Sequence, residues 1–239
     1  MYHFPPPSVV TPPDPENAPA NPRILLPAMK PAYWDDATRV LGRCDPVLRR
    51  LMRGHPHVHL QRRGDPFTTL ARAIVGQQIS VKAAQTIWER LATAVAATGD
   101  PARLDPARLG RTRLPTMRRC GLSERKALYV RDLARHFMTG ALDPLAWPAL
   151  ADEALIEHLV GVKGIGRWTA EMFLMFNLLR PDVLPLDDLG LQKAIGLHYF
   201  DGERVARERM RELAANWAPW RSVATWYLWR SLDPVPVEY

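Results

Sequence analysis

Residues 155–176, LIEHLVGVKGIGRWTAEMFLMF, are the most informative stretch of the chain. Apolar residues at helical spacing lead into Gly161, Gly164 and Gly166, and Thr169, Met172, Phe173 and Phe176 resume a helical stripe at once. The reading is helix, tight turn, helix. Two glycines around one apolar residue, Gly164-Ile165-Gly166, let the backbone approach a ligand closely. They also leave N–H groups at a helix N-terminus facing outward, an arrangement suited to one phosphate. Lys163 and Arg167 add positive charge beside the turn, and Thr169 begins the helix after it. Taken alone the pattern is weak, because an ordinary helical corner uses such glycines for turn geometry only.

Helical periodicity continues on both sides. Residues 152–160 form the helix entering the turn. Upstream, Leu41, Val47, Leu48 and Leu51 predict a short helix pair broken at Asp45-Pro46, and Phe67, Leu70, Ala71 and Ile74 follow the i, i+3, i+4, i+7 pattern. GQQIS (76–80) interrupts, and Val81, Ala84, Trp88, Leu91 and Val95 then form a stripe that Ser80 can cap. A shorter helix follows Gly121-Leu122-Ser123, with Lys126 through Phe137 helical and Gly140 ending it. Downstream, RPDVLPLDD (180–188) is a loop before a helix over Leu189–Leu197. Ala206, Met210, Leu213 and Trp217 line another helix, and a last one starts after Pro219. No stretch alternates apolar and polar residues convincingly, so the predicted fold class is all-α.

Composition narrows the function classes. The 239 residues allow one large domain or two small lobes. No apolar run approaches the roughly 18–20 residues that span a bilayer, which excludes a helical integral membrane protein. MYHFPPPSVV lacks the basic start and apolar stretch of a secretory signal. Cys44 and Cys120 stand far apart, which excludes a four-cysteine zinc site, an iron–sulfur cluster and a disulfide scaffold. A reduced, soluble, intracellular (cytoplasmic) protein is expected. Lys+Arg number 32 against 25 Asp+Glu, a net charge of +7, and only five of the 32 are Lys. An Arg-rich basic surface suits a polyanionic partner, though an Arg-rich solvated surface accounts for it equally well. Ten of the 23 prolines fall in residues 1–31, which read as a tail or extended wrap.

LVGVKGIGRWTA (159–170) resembles the helix-hairpin-helix element of the base-excision DNA glycosylase superfamily named for that hairpin, a Gly/Pro-rich loop and an Asp. Three further segments resemble its other parts, in the same order and spacing. FTTLARAIVGQQIS (67–80) is similar to its early helix and DNA-probing turn, and LPLDD (184–188) to the loop ending in its catalytic Asp. WAPWRSVATWYLW (217–229) is similar to the C-terminal helix of the alkylpurine branch, the type II DNA-3-methyladenine glycosylases. The resemblance runs from about Tyr33 to Leu232.

The resemblance implies roles for particular residues. Asp188 matches the catalytic carboxylate, and Asp187 could instead cap the next helix; sequence reasoning does not separate the two. An ionised carboxylate there suits the chemistry, since cleaving an N-glycosidic bond builds oxocarbenium character on the sugar. An alkylated base is already cationic and leaves without a strong general acid. Trp168 and Trp229 match pocket aromatics, with Trp226 and Met172 beside them, and indole faces attract a cationic purine. Gln78 matches the residue that enters the duplex beside the flipped nucleotide, whereas Gln77 reads as structural. Members that also cut the strand carry a Lys two residues after the last hairpin Gly. That position is Trp168, which forms no imine, so a monofunctional enzyme is implied.

No redox cofactor is implied, but the family hairpin holds a monovalent cation, Na+ or K+, and the matching carbonyls are those of Val160, Val162 and Ile165. Gly161, Lys163, Gly164, Gly166, Arg167 and Thr169 would grip double-stranded DNA carrying alkylated bases. His55, His57 and His59 alternate in HPHVH and read as solvated loop residues. The implied architecture is two helical lobes with the cleft between them and no N-terminal β domain. One lobe spans about 67–170, the other about 32–66 plus 171–232, and residues 233–239 form a C-terminal tail. A monomer is expected. Lys163 stands where Pro is usual, and Met172, Leu189 and Arg230 where some relatives are aromatic, which reshapes the pocket. Two rivals remain: a protein that binds damage without catalysis, and a glycosylase for another lesion such as uracil, hypoxanthine or oxidised guanine.

Overall fold

The computed structural model describes residues 30–95 and 103–232. The tails expected over 1–31 and 233–239 lie outside these, apart from residues 30 and 31. Among the described residues there are twelve α-helices and no strand. They are α1 (Trp34–Cys44), α2 (Pro46–Gly54), α3 (Pro66–Gly76), α4 (Val81–Val95), α5 (Pro106–Arg111) and α6 (Leu114–Arg119). After these come α7 (Glu124–Met138), α8 (Asp152–Val160), α9 (Arg167–Phe176), α10 (Leu189–Tyr199), α11 (Arg207–Ala215) and α12 (Arg221–Leu232), with a 3-10 turn at Trp147–Ala149.

One local device starts three of these helices. Asp45-Pro46, Asp65-Pro66 and Asp105-Pro106 each put an Asp at the N-cap and a Pro at the first helical position, where its missing N–H costs nothing. The Asp side chains accept from Val47 and Leu48, from Thr68, and from Ala107, at 2.8–3.0 Å. Each such cap contributes about 1 kcal/mol. Asp45 does more: its Oδ2 also accepts from Tyr199 Oη at 2.8 Å and Trp217 Nε1 at 2.9 Å, which ties the start of α2 to the end of α10 and to the turn after α11. Ser80 and Ser123 cap α4 and α7 through the Ala83 and Lys126 N–H groups.

Two features differ from the sequence expectation. Helices α5 and α6 bury little more than Leu109 and Met117, too few apolar residues for a periodic signal. Val81, expected on the buried stripe of α4, is 66% exposed, and that helix is fully buried only from Trp88 on, at Trp88, Leu91, Ala92 and Val95.

Helix α3 packs on α4 and α7, α5 and α6 on α7, and α8 on α9. Helices α1 and α2 pack together and against α12, which also carries α10. A continuous apolar core joins them, through Leu70, Leu91, Leu133, Leu155, Leu191 and Leu228 among others. Within it Phe67, Phe137, Trp147 and Phe173 form an edge-to-face chain with centroids 5.2–6.1 Å apart, linking α3, α7 and α9. Against that rigid base, α9, the loop before α10 and the end of α12 meet at one corner.

Candidate active site

Asp188 occupies the corner as the N-cap of α10, with extended backbone at φ −75° and ψ 117°. Its Oδ1 accepts from the Leu191 N–H at 2.7 Å and from Trp229 Nε1 at 2.8 Å, and its Oδ2 accepts from Trp168 Nε1 at 2.9 Å. A carboxylate with three N–H donors at the positive end of a helix is fixed in place and electrostatically supported. The two aspartates that sequence left unresolved are separated here. Asp188, not Asp187, caps α10, and Asp187 turns away to pair with Arg207.

The indoles come from different elements. Trp168 sits in the first turn of α9 and is 39% exposed. Trp229, near the end of α12, is half-buried and stacks on Phe176 at 5.9 Å and 13° between planes. The Arg63 guanidinium lies 4.7 Å from the other ring partner of that stack, Phe176. Met172 follows Trp168 by one helical turn and is half-buried against the core. Trp226 is 8% exposed and meets Phe176 and the Arg230 guanidinium instead of Asp188. Gly190 sets the fit of the corner: a Cβ there would stand 3.1 Å from Asp188 Oδ1 and 3.2 Å from Trp229 Cδ1.

The loop that delivers Asp188 is anchored on α12 as well. Arg221 grips Asp182 through two bonds of 2.7 Å, Ser222 Oγ donates to the Arg180 carbonyl at 2.6 Å, and the Val183 N–H donates to Ser222 Oγ at 2.9 Å. Gln192 then reaches back to the Leu186 carbonyl at 2.8 Å. One helix therefore supplies an indole to the carboxylate and fixes the segment that carries that carboxylate.

The turn between α8 and α9 is anchored by Val162 and Ile165, both buried, while Lys163, Gly161 and Gly166 face solvent. Gly164 has φ +88°, and a Cβ on it would overlap the Tyr129 ring, 2.2 Å from Cδ2. Gly166 is the N-cap of α9 and brings no side chain to its first N–H groups, among them those of Trp168 and Thr169. Arg167 does not project into solvent as a lone charge. It binds Glu153 of α8 through bonds of 2.6 and 2.7 Å and Glu171 of α9 at 3.0 Å, closing the hairpin. Glu171 is 4% exposed, and burial, only partly offset by Arg167, pushes its carboxyl up to about 7. Val160 ends α8, so its carbonyl lies among those without an intrahelical partner, and the Val162 carbonyl accepts from the Ile165 N–H at 3.1 Å with a lone pair to spare. Main-chain oxygens of this kind fit a monovalent cation.

Gln78 is exposed and holds φ +57°, a left-handed conformation that is uncommon for a residue with a side chain. Gln77 is tied down instead, its Nε2 donating to the Gly164 carbonyl at 2.7 Å. His55, His57 and His59 lie on the loop after α2, with the His59 ring edge-on to Trp34. Sequence reasoning missed Phe176 as the platform under Trp229, and Gly190, Glu171 and Lys126 altogether. A glycine in the first turn of a helix and a Glu on an otherwise apolar helix face were the available signals.

Several known proteins are similar to this chain in sequence and fold. A DNA-3-methyladenine glycosylase of Schizosaccharomyces pombe is 36% identical over 70% of this chain and 72% of its own length. A DNA-3-methyladenine glycosidase crystal structure from Bacillus halodurans superposes with a TM-score of 0.76 at 34% identity, covering 82% of this chain and 89% of that one. A Schizosaccharomyces pombe 3-methyladenine DNA glycosylase in complex with abasic DNA superposes with a TM-score of 0.70 at 29% identity, over 85% and 98%. The chain spans between 59% and 72% of the length of the matching relatives from Bacillus subtilis, Schizosaccharomyces pombe and Saccharomyces cerevisiae. The sequence pattern of the HhH-GPD superfamily matches residues 71–219, a span that holds the Gln78 turn, the hairpin and Asp188 together. The chain belongs to the HhH-GPD superfamily of base excision DNA repair proteins.

Proposed function

We propose that the protein is a monofunctional DNA glycosylase that hydrolyses the N-glycosidic bond of alkylated purines, of the 3-methyladenine and 7-methylguanine type, in duplex DNA. It acts as a monomer on a nucleotide flipped out of the stack and leaves an abasic site. The observation that carries this reading is the Asp188 carboxylate, held by the Trp168 and Trp229 indoles and the Leu191 N–H.

The residues divide the work. The hairpin N–H groups of α9 and the Lys163 ammonium grip a phosphate, and the carbonyls of Val160, Val162 and Ile165 would hold a Na+ or K+ ion that adds positive charge there. Gln78 fills the gap left by the flipped nucleotide and bonds the orphaned partner base. Trp168, with Met172 behind it, offers a π face to the cationic purine, an attraction of about 1–2 kcal/mol when desolvated. Both indoles aim Asp188 through their Nε1 edges, and Trp229 has one face taken by Phe176. As the glycosidic bond breaks, its electron pair leaves with the base, and the positive charge on C1′ is stabilised by Asp188. Water then bonds to C1′ and gives up its proton. Trp168 holds the position where an imine-forming Lys would stand, so the strand stays uncut.

The test is base release from methylated duplex DNA by wild type and Asp188→Asn side by side. Asn caps a helix as well as Asp does, so the variant keeps the α10 cap while it removes the charge and the bond that Oδ2 accepts from Trp168. We expect release of 3-methyladenine or 7-methylguanine by wild type, slowed at least about 100-fold in the variant, with strand scission only after alkali. Tight DNA binding without release by wild type would refute the alkylpurine assignment, and equal rates would refute the role of Asp188.

A further inference from the structure

Both turns assigned to DNA are held by one face of α7. Lys126 donates from Nζ to the carbonyls of Val75 at 2.8 Å and Gln77 at 2.7 Å, the end of α3. One helical turn on, the Tyr129 ring covers Gly164 so closely that no Cβ fits between them. A further turn on, Asp132 Oδ2 accepts the Lys163 N–H at 3.0 Å, while its other oxygen takes Arg135 at 2.8 Å. Gln77 closes the circuit: its carbonyl is bound by Lys126 and its side-chain amide by Gly164.

We propose that α7 is a strut setting the spacing between the Gln78 turn and the hairpin, with Gln77 and Lys126 as positioning residues for base extrusion. The proposal rests on reading Gln78 and the hairpin as DNA contacts. Its physical basis is the backbone of Gln78. A left-handed residue with a side chain persists only where its surroundings over-determine it, and here the preceding residue is pinned at both ends. Without the Gln77 amide, Gln78 relaxes toward an ordinary φ and its side chain no longer enters the stack where the hairpin's phosphate requires it. The hairpin keeps its own anchors, Tyr129 and Asp132, so the grip on phosphate survives. The Lys126 ammonium is half-buried and spends two of its three N–H bonds on main-chain carbonyls, and burial lowers its pKa.

The experiment uses the full chain and the variants Gln77→Met and Lys126→Met. It measures the dissociation constant for undamaged duplex, the single-turnover release of 7-methylguanine from duplex, and the fluorescence of a 2-aminopurine placed beside the lesion, which reports unstacking. In both variants we expect affinity for undamaged duplex within about twofold, and release and unstacking amplitude reduced together by about tenfold or more. Wild-type unstacking, or a loss of affinity as large as the loss of release, would overturn the proposal. Gln78→Ala separates it from the reading beneath it. If Gln78→Ala extrudes and releases the base like wild type, the wedge assignment fails. If Gln78→Ala is impaired and Gln77→Met is not, the strut alone fails.

Discussion

The hairpin and the Asp188 corner are built on opposite plans, though α9 belongs to both. The hairpin presents main chain. Apart from Lys163 its outward groups are N–H and C=O, and the side chains of Val162, Ile165 and Tyr129 hold the ribbon in shape. The corner presents side chains. One carboxylate and two indoles arrive from α9, the cap of α10 and the end of α12, and they meet through bonds of 2.8–2.9 Å. A surface made of backbone tolerates most changes of residue but not an added Cβ in the wrong place. A site made of side chains tolerates none of its own residues changing, and it depends on three elements folding against one another.

The sharpest way to break the first half of this contrast is Gly164→Ala. It forces a methyl group into Tyr129 at φ +88° and should cost about 2–4 kcal/mol in urea unfolding, with DNA affinity falling as well. Gly166→Ala, whose Cβ would meet nothing within 4 Å, should stay within about 0.5 kcal/mol of wild type. Equal costs for the two would show that the hairpin's glycines are not distinguished by packing. For the corner, Trp229→Phe keeps a ring against Phe176 and removes one donor from Asp188. A hydrogen bond to a charged group contributes about 1.5–3 kcal/mol, so single-turnover release should slow about 10- to 100-fold, with a melting temperature lower by several degrees. A normal rate would mean that the second indole and the α10 N–H groups suffice.

The smallest effect concerns Glu171, on the helix shared by both regions. Burial raises its carboxyl to about 7, Arg167 opposes the shift, and the charges of Asp187 and Glu153 add to it. Between the ordinary Glu value near 4.5 and about 7, the folded state then binds more protons than the unfolded one. Stability conferred by this group is therefore greatest below that window and declines as pH rises through it. Melting temperatures of wild type and Glu171→Gln, followed from pH 4.5 to 8, should show wild type losing a few degrees relative to the variant, with the change levelling off only toward pH 8. Parallel curves would show that Arg167 holds Glu171 ionised throughout.

The contrast also explains what could be read from the sequence. Backbone surfaces leave a local mark, because glycine at fixed spacing between two apolar helical stripes signals the hairpin directly. The longer helices were legible for the same reason, their buried faces repeating every three to four residues. Helices α5 and α6 were not, with six residues each and about one buried side chain apiece. The corner left almost no local mark. Nothing in LPLDD distinguishes Asp187 from Asp188; only the fold gives the second the cap of α10 and the indole bonds. Phe176 looked like one more member of an apolar stripe, since its stacking partner lies 53 positions further along the chain. Trp226 and Trp229 looked alike on α12, and only packing puts the first in the core and the second on the carboxylate.

Gly190 carries a consequence for anyone selecting this protein for heat tolerance. Alanine is preferred over glycine within helices by on the order of 1 kcal/mol, so helix propensity alone would favour Ala at position 190. The same methyl group would press on both Asp188 Oδ1 and the Trp229 indole and move them apart by a few tenths of an ångström. Helix propensity and the geometry of the corner thus pull this position in opposite directions, and a library designed on propensity alone would include a substitution that displaces Asp188.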